Sequence, residues 1–165
     1  MEALHAPWRI QYILGPKQST GDGCSIFTAI AQSGDDVANH VITRARTSYA
    51  VLNSFPYNAG HVLVCPYRQV ADLPDLTGEE ALEMQQLLGR VQTAIRKVMR
   101  PDGFNIGLNL GKVAGAGIVE HLHWHIVPRW FGDTNFMPVT GSTAVLPEAL
   151  ADTAAKLRAA LAENV

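Results

Sequence analysis

Only two cysteines, Cys24 and Cys65, occur in the 165 residues. That is too few for a disulfide framework. No apolar run approaches the ~20 residues a membrane-spanning helix needs. No basic run stands out and the formal net charge is -2, which argues against nucleic acid as a partner. A small anion is not excluded, because local donors bind it whatever the net charge. The opening stretch "MEALHAPWRIQYI" lacks a basic segment followed by an apolar one, so it is not expected to be a signal peptide. Cytoplasm is the expected compartment. Repeats and low-complexity tracts are also missing. What remains is a chain 47% hydrophobic and 17% charged, the composition of one globular domain with a sizeable core.

The hydrophobic pattern changes period along the chain. "LGPKQSTGDG" (14–23) is rich in breakers and reads as a loop. "ANHVITRA" and "TSYAVLNSF" read as short strands, "PYNAG" as a turn, and "HVLVCPY" as a central strand that Pro66 should end. From Met84 the apolar residues Leu87, Leu88, Val91, Ile95 and Val98 recur at three and four, which predicts an amphipathic helix. Thr77 with Glu80 forms a capping box at its start, and "PDG" (101–103) stops it. "FNIGLNL" and "EHLHWHIVPR" return to strand, the second ended by Pro128. A last helix is expected to begin near Pro147, with Leu150, Ala154, Leu157 and Leu161 on its apolar face. Strands, helix, strands, helix make an α+β domain, an antiparallel sheet with helices packed on it.

"HLHWHIVPRW" (121–130) holds half of the six histidines. On a strand, alternate side chains share a face, so His121, His123 and His125 form a row. Leu122, Trp124 and Ile126 point into a core. Burying three adjacent imidazoles without a task costs desolvation. Two tasks fit. Imidazoles at alternate positions can share a metal ion, or one imidazole can attack phosphorus while its neighbours hold the oxygens. The Gly-rich "NLGKVAGAG" upstream favours phosphate. Asn109, Gly111, Gly115 and Gly117 allow close approach of backbone N–H groups to an anion, although a tight strand connection would use the same residues.

His121-Leu122-His123-Trp124-His125-Ile126-Val127 matches the signature of the histidine-triad (HIT) family at every position. "AVLNSFPYNAGHVLVCPYRQVADLPDLT" and "GFNIGLNLGKVAGAGIVEHLHWHIVPRW" resemble its fragile-histidine-triad branch. "APWRIQYI" and "PRWFGDTNFMPV" resemble prokaryotic hydrolases and phosphorylases of dinucleoside polyphosphates. The resemblance covers roughly residues 7–143 and implies a single HIT domain over 1–165. Within it, 1–36 would be an N-terminal arm and loop, 37–130 the core, and 131–165 an extension and helix. It implies a homodimer with the triad on a central strand.

The resemblance also implies chemistry. His123 would attack the α-phosphorus of a nucleotide and form a nucleotidyl-histidine, with phosphate or water as the final acceptor. His121 and His125 would contact phosphate oxygens and help the leaving group. Asn109 matches the family's phosphate-contacting asparagine, with Gly115 and Gly117 in the loop beside it. Asn53 matches the ribose-holding position, and His61 a histidine near the nucleotide. Trp130, with Trp8, would frame the site; plain packing is the bland alternative. No bound cofactor is expected, though magnesium can travel with the polyphosphate. A nucleoside phosphoramidase and a nucleotide-binding sensor with slow catalysis are the alternatives. Diadenosine tetraphosphate is the representative substrate.

Two departures from the family stand out. Many relatives hold a structural zinc with Cys-x-x-Cys, a later histidine and the first triad histidine. Here those positions read Cys24, Phe27, Gln69 and His121. Structural zinc wants four ligands, so none is expected. Several relatives also carry Gln-Ser or Gln-Thr just before the triad, where this chain has Gly117-Ile118.

Overall fold

The structure is a computed structural model that describes residues 23–133, 136, 137, 140 and 146–163. Its order is α1 (Ile26–Ser33), β1 (Val41–Arg44), β2 (Ser48–Leu52), β3 (Val62–Pro66), α2 (Gly78–Met99), β4 (Gly103–Leu108), β5 (Trp124–Arg129) and α3 (Leu150–Ala162). The strands make one antiparallel sheet in the order β1-β2-β3-β5-β4. This is the expected α+β architecture, but β5 begins at Trp124 rather than at the expected Glu120, so of the triad only His125 lies on the strand.

α2 starts and stops where its sequence says. The Thr77 side chain accepts from the Glu80 N–H, and the Glu80 carboxylate accepts from the Thr77 N–H at 2.8 Å. Its buried stripe of Met84, Leu87, Leu88, Val91, Ala94 and Ile95 packs on one face of the sheet, with Ala154, Leu157 and Leu161 of α3 beside it. α3 begins at Leu150, three residues past the expected Pro147. Boundaries are where helix signals are weakest, and here Ala149 caps without a side-chain hydrogen bond. β2 and β3 are buried at every residue, because both sheet faces are covered there.

The second cover is α1, which the sequence reading left within an N-terminal arm. Ser25 caps it, accepting from the Thr28 N–H, and Gly34 ends it in the left-handed region. Phe27 then packs with Val41, Tyr49, Val51, Leu63 and Cys65 on the face opposite α2. The Tyr49 hydroxyl donates to the Phe27 carbonyl at 2.7 Å. Phe27 is therefore a core residue, with Ile26, Ile30 and Ala31 packed beside it. Of the expected loop at 14–23, residues 14–22 lie outside the described residues.

Pro128 does not end its strand. It pairs opposite Phe104 within β5. The ladder to β3 has stopped at Val62–Ile126, so β5 has a single neighbour by Pro128. A missing N–H is tolerated at such an edge.

Candidate active site

The triad sits where β5 enters the sheet. Leu122 donates its N–H to the Val70 carbonyl at 2.7 Å, which fixes the chain between the first two histidines. Leu122 and Ile126 are buried in the α2 core and Trp124 packs against it. The imidazoles lie together away from that core, where Phe27 meets His121 and His123, and His125 follows His123.

His123 is 7% exposed. Its Nδ1 lies 2.8 Å from the His121 carbonyl oxygen. A carbonyl only accepts, so Nδ1 carries the proton and the lone pair is on Nε2. Burial pushes its pKa below the ordinary 6.5, which keeps the ring neutral. The Phe27 ring lies against it at 4.8 Å between centroids, and His125 follows at 4.9 Å.

His125 is set by a chain of donors. The Tyr57 N–H donates to His61 Nδ1 at 3.1 Å. An amide N–H cannot accept, so the proton of the neutral His61 ring is on Nε2. That N–H donates to His125 Nδ1 at 2.9 Å. By the same logic His125 carries its own proton on Nε2. The pair thus presents a lone pair on His123 and an N–H on His125. Tyr57, which sequence reasoning treated as a turn residue, also stacks on His125 at 5.7 Å and 16°. Its signal was an aromatic in a turn otherwise built of breakers.

His121 is fully buried. Its Nε2–H donates to the Pro66 carbonyl at 2.9 Å. Its Nδ1 accepts from the Ser25 hydroxyl at 2.5 Å. Burial lowers its pKa as well. Both ring nitrogens are engaged within the protein. His121 thereby links the start of α1 to the end of β3.

A cavity of about 180 Å³ opens beside His125. Tyr57, Asn105, Gly107, Asn109 and Val127 line it with His125. Asn109, far from His125 in sequence, is thus brought to it. The Gly115 N–H donates to the Lys112 carbonyl at 3.1 Å. The loop's own turn thus uses this donor. Gly117 sits half-buried after it, and Ile118 packs against the α1 core. The Asn53 Oδ1 accepts from the Phe55 N–H at 2.9 Å, and its Nδ2 lies 3.3 Å from His61 Nδ1. Asn53 is therefore both a turn residue and a neighbour of the His61–His125 pair.

Residues 35–132 match the HIT domain family. The chain belongs to the HIT domain family. An AP-4-A phosphorylase of Mycobacterium tuberculosis is 42% identical over 93% of this chain and 80% of its own length. A bis(5'-nucleosyl)-tetraphosphatase [asymmetrical] of Schizosaccharomyces pombe is 41% identical over 56% of this chain and half of its own. Among solved structures, a ZN-bound histidine triad family protein from Mycobacterium smegmatis superposes with a TM-score of 0.66 at 30% identity. It covers 84% of this chain and 94% of its own.

Where many relatives hold zinc, this HIT chain carries Cys24, Phe27, Gln69 and His121. Phe27 turns its ring edge-on to His121 at 5.5 Å. Gln69 accepts from the Ser25 N–H at 2.8 Å, and the Thr28 hydroxyl reaches the same oxygen at 3.4 Å. Only Cys24 and His121 remain as ligand types, and the hydrogen bonds of His121 occupy both its nitrogens. Cys65, the other thiol, is buried among apolar side chains that push its pKa up. Trp130 is half-buried beyond β5, and its N–H donates to Asp133 at 3.1 Å. It does not line the cavity. Trp8 lies outside the described residues.

Proposed function

We propose that this HIT protein cleaves dinucleoside polyphosphates such as diadenosine tetraphosphate at an α-phosphorus, with orthophosphate as the final acceptor. The observation that carries the reading is the complementary pair of ring protonation states. His123 offers a lone pair next to a His125 N–H. The 42% identity to an AP-4-A phosphorylase supports both the substrate and the acceptor.

The lone pair on His123 Nε2 attacks the α-phosphorus. The bond from phosphorus to the bridging oxygen breaks and its electron pair leaves with the polyphosphate. His125 Nε2–H donates a hydrogen bond to that departing oxygen. The His121 carbonyl, holding Nδ1–H, disperses the positive charge that grows on the His123 ring. Preorganised donors of this kind are worth a few kcal/mol each. An oxygen of orthophosphate then attacks the same phosphorus, the P–N bond breaks, and His123 regains its lone pair. Splitting the displacement into two steps lowers each barrier. Asn109 and the Gly117 amide would hold non-bridging oxygens, Asn53 the ribose, and Trp130 the outer rim. Magnesium would accompany the polyphosphate rather than a protein site. We also read the protein as a cytoplasmic homodimer. Two cysteines are too few for a disulfide framework, and β4 is an edge strand with Ile106 exposed.

Incubation with diadenosine tetraphosphate, with and without orthophosphate, tests the reading. ADP plus ATP, formed only with phosphate, is the expected result. AMP plus ATP irrespective of phosphate would make water the acceptor. Two ADP molecules would refute attack at the α-phosphorus. Sedimentation velocity reports the oligomeric state.

A further inference from the structure

The helix whose place in the core the sequence did not reveal makes direct contact with the nucleophile. Ser25 caps α1 and Phe27 is on its first turn; Ser25 touches one histidine of the triad and Phe27 two. The Ser25 hydroxyl bonds His121 Nδ1 at 2.5 Å. The Phe27 ring covers His123 and meets His121 edge-on. Neither residue is loosely held. Ser25 is 2% exposed and Phe27 4%. The Ser25 N–H donates to Gln69, its oxygen accepts from the Thr28 N–H at 3.2 Å, and the Phe27 carbonyl accepts from Tyr49.

We propose that Phe27 and Ser25 are positioning residues for the nucleophile, a lid and a latch that seat His121 and His123 without a metal ion. The proposal rests on His123 being the nucleophile. The latch works through hydrogen bonds. The Pro66 carbonyl takes the Nε2–H of His121, and the Ser25 hydroxyl donates to the Nδ1 lone pair that remains. That locks the residue whose own carbonyl orients His123. The lid works by packing. A phenyl ring against the His123 face holds the ring plane and keeps water from its Nδ1 side. Gln69 joins the same cluster by anchoring the first turn of α1. Three positions where relatives place zinc ligands thus carry a phenyl ring, an amide and a hydroxyl-bonded imidazole that act together.

The test uses the full-length protein carrying Phe27→Ala, Phe27→Leu, Ser25→Ala or Ser25→Thr, after treatment with a chelator. Steady-state kinetics on diadenosine tetraphosphate are followed from about pH 5 to 9, spanning the imidazole range. Phe27→Ala is expected to lower kcat about 10- to 100-fold, the scale on which misaligning a reacting group by an ångström is felt. KM should stay within a factor of about three, since only interactions realised in the transition state are lost. The acid limb of kcat should move toward higher pH, because an uncovered His123 ring is more easily protonated. Phe27→Leu should restore most of kcat and the acid limb. Ser25→Ala should act in the same direction, and Ser25→Thr, which keeps the hydroxyl, should recover.

The proposal is overturned if Phe27→Ala folds and keeps wild-type kcat, or if KM rises while kcat is unchanged. It is equally overturned if chelation lowers wild-type kcat and zinc restores it. Should Phe27→Ala fail to fold, the Ser25 pair and nitrogen-15 spectra of the histidine rings decide. Wild type should show His121 protonated at Nε2 alone, and a shift of its Nδ1 signal in Ser25→Ala with a fall in kcat supports the latch. An unchanged His121 spectrum in Ser25→Ala overturns it. The wild-type nucleotidyl adduct on His123 is measured first. Its absence would count against the nucleophile reading, and its presence lets the variants judge the seat alone.

Discussion

His123 gives its Nδ1–H to the backbone carbonyl of His121 across 2.8 Å. The bond leaves Nε2 as the ring's nucleophilic atom. It also ties the orientation of the ring to the main chain. Replacing His123 with alanine should therefore leave the fold intact while abolishing turnover. Activity should drop by several orders of magnitude, as loss of a nucleophile typically does. Mass spectrometry of quenched wild-type protein should find the nucleotidyl group on His123. Retention of more than ~1% of turnover by His123→Ala would refute the covalent role.

The relay from Tyr57 through His61 to His125 makes a different prediction. Leucine at position 61 fills the space but donates nothing to His125 Nδ1. Glutamine supplies an amide N–H near the place of the lost Nε2–H. His61→Leu should lower kcat by about 10²- to 10⁴-fold, the range of general acid–base contributions. His61→Gln should recover part of the loss. Equal kcat values in the two variants would mean that His61 only fills volume.

The fold and the triad were legible in the sequence because each has a short-range signature. The capping box of Thr77 and Glu80 and the three-four spacing of α2 are local, and the observed helix follows them. The triad signature is local in the same way. What was missed depends on contacts distant in sequence. Ser25 meets His121 across 96 positions, and no pattern within either segment announces it. α1 is only eight residues long, too short for periodicity to separate it from a loop, although Ser25 before "IFTAIA" was a usable cap signal. Whether His121 faces phosphate or protein depends on the Pro66 carbonyl, a group that sequence does not position.

Acid should weaken the folded state through the buried histidines. Burial lowers the pKa of both His121 and His123 from 6.5. In the unfolded chain each ring binds a proton near 6.5, whereas in the folded protein it stays neutral to lower pH. The unfolded state thus binds more protons between the two values, and stability rises with pH across that window. Stability should be level above about pH 7 and begin to fall as pH drops through about 6.5. Urea denaturation at a series of pH values reads this directly. In His121→Asn the fall should be shallower, because one of the two groups no longer titrates. An equal or steeper fall in the variant would contradict the assignment.

Gly60 precedes His61 with a φ of +70°, the left-handed region where a side chain costs about 1–2 kcal/mol. A Cβ built there would lie 2.4 Å from the Met99 sulfur and 3.4 Å from Pro128 Cγ. Two costs are thus superposed. The backbone cost is fixed, whereas Met99 is a flexible side chain that can partly withdraw. Gly60→Ala should destabilise the protein by about 1–3 kcal/mol, combining backbone strain with overpacking. For a chain of this size each kcal/mol lowers Tm by roughly 2–4 °C. Adding Met99→Ala separates the two costs. In a double-mutant cycle the clash should appear as a favourable coupling, while the backbone share persists. Turnover should fall in Gly60→Ala beyond what the unfolded fraction explains, because the turn that holds the Tyr57 N–H against His61 ends at this residue. If Gly60→Ala melts with the wild type and keeps its kcat, then the turn does not set the His61–His125 relay.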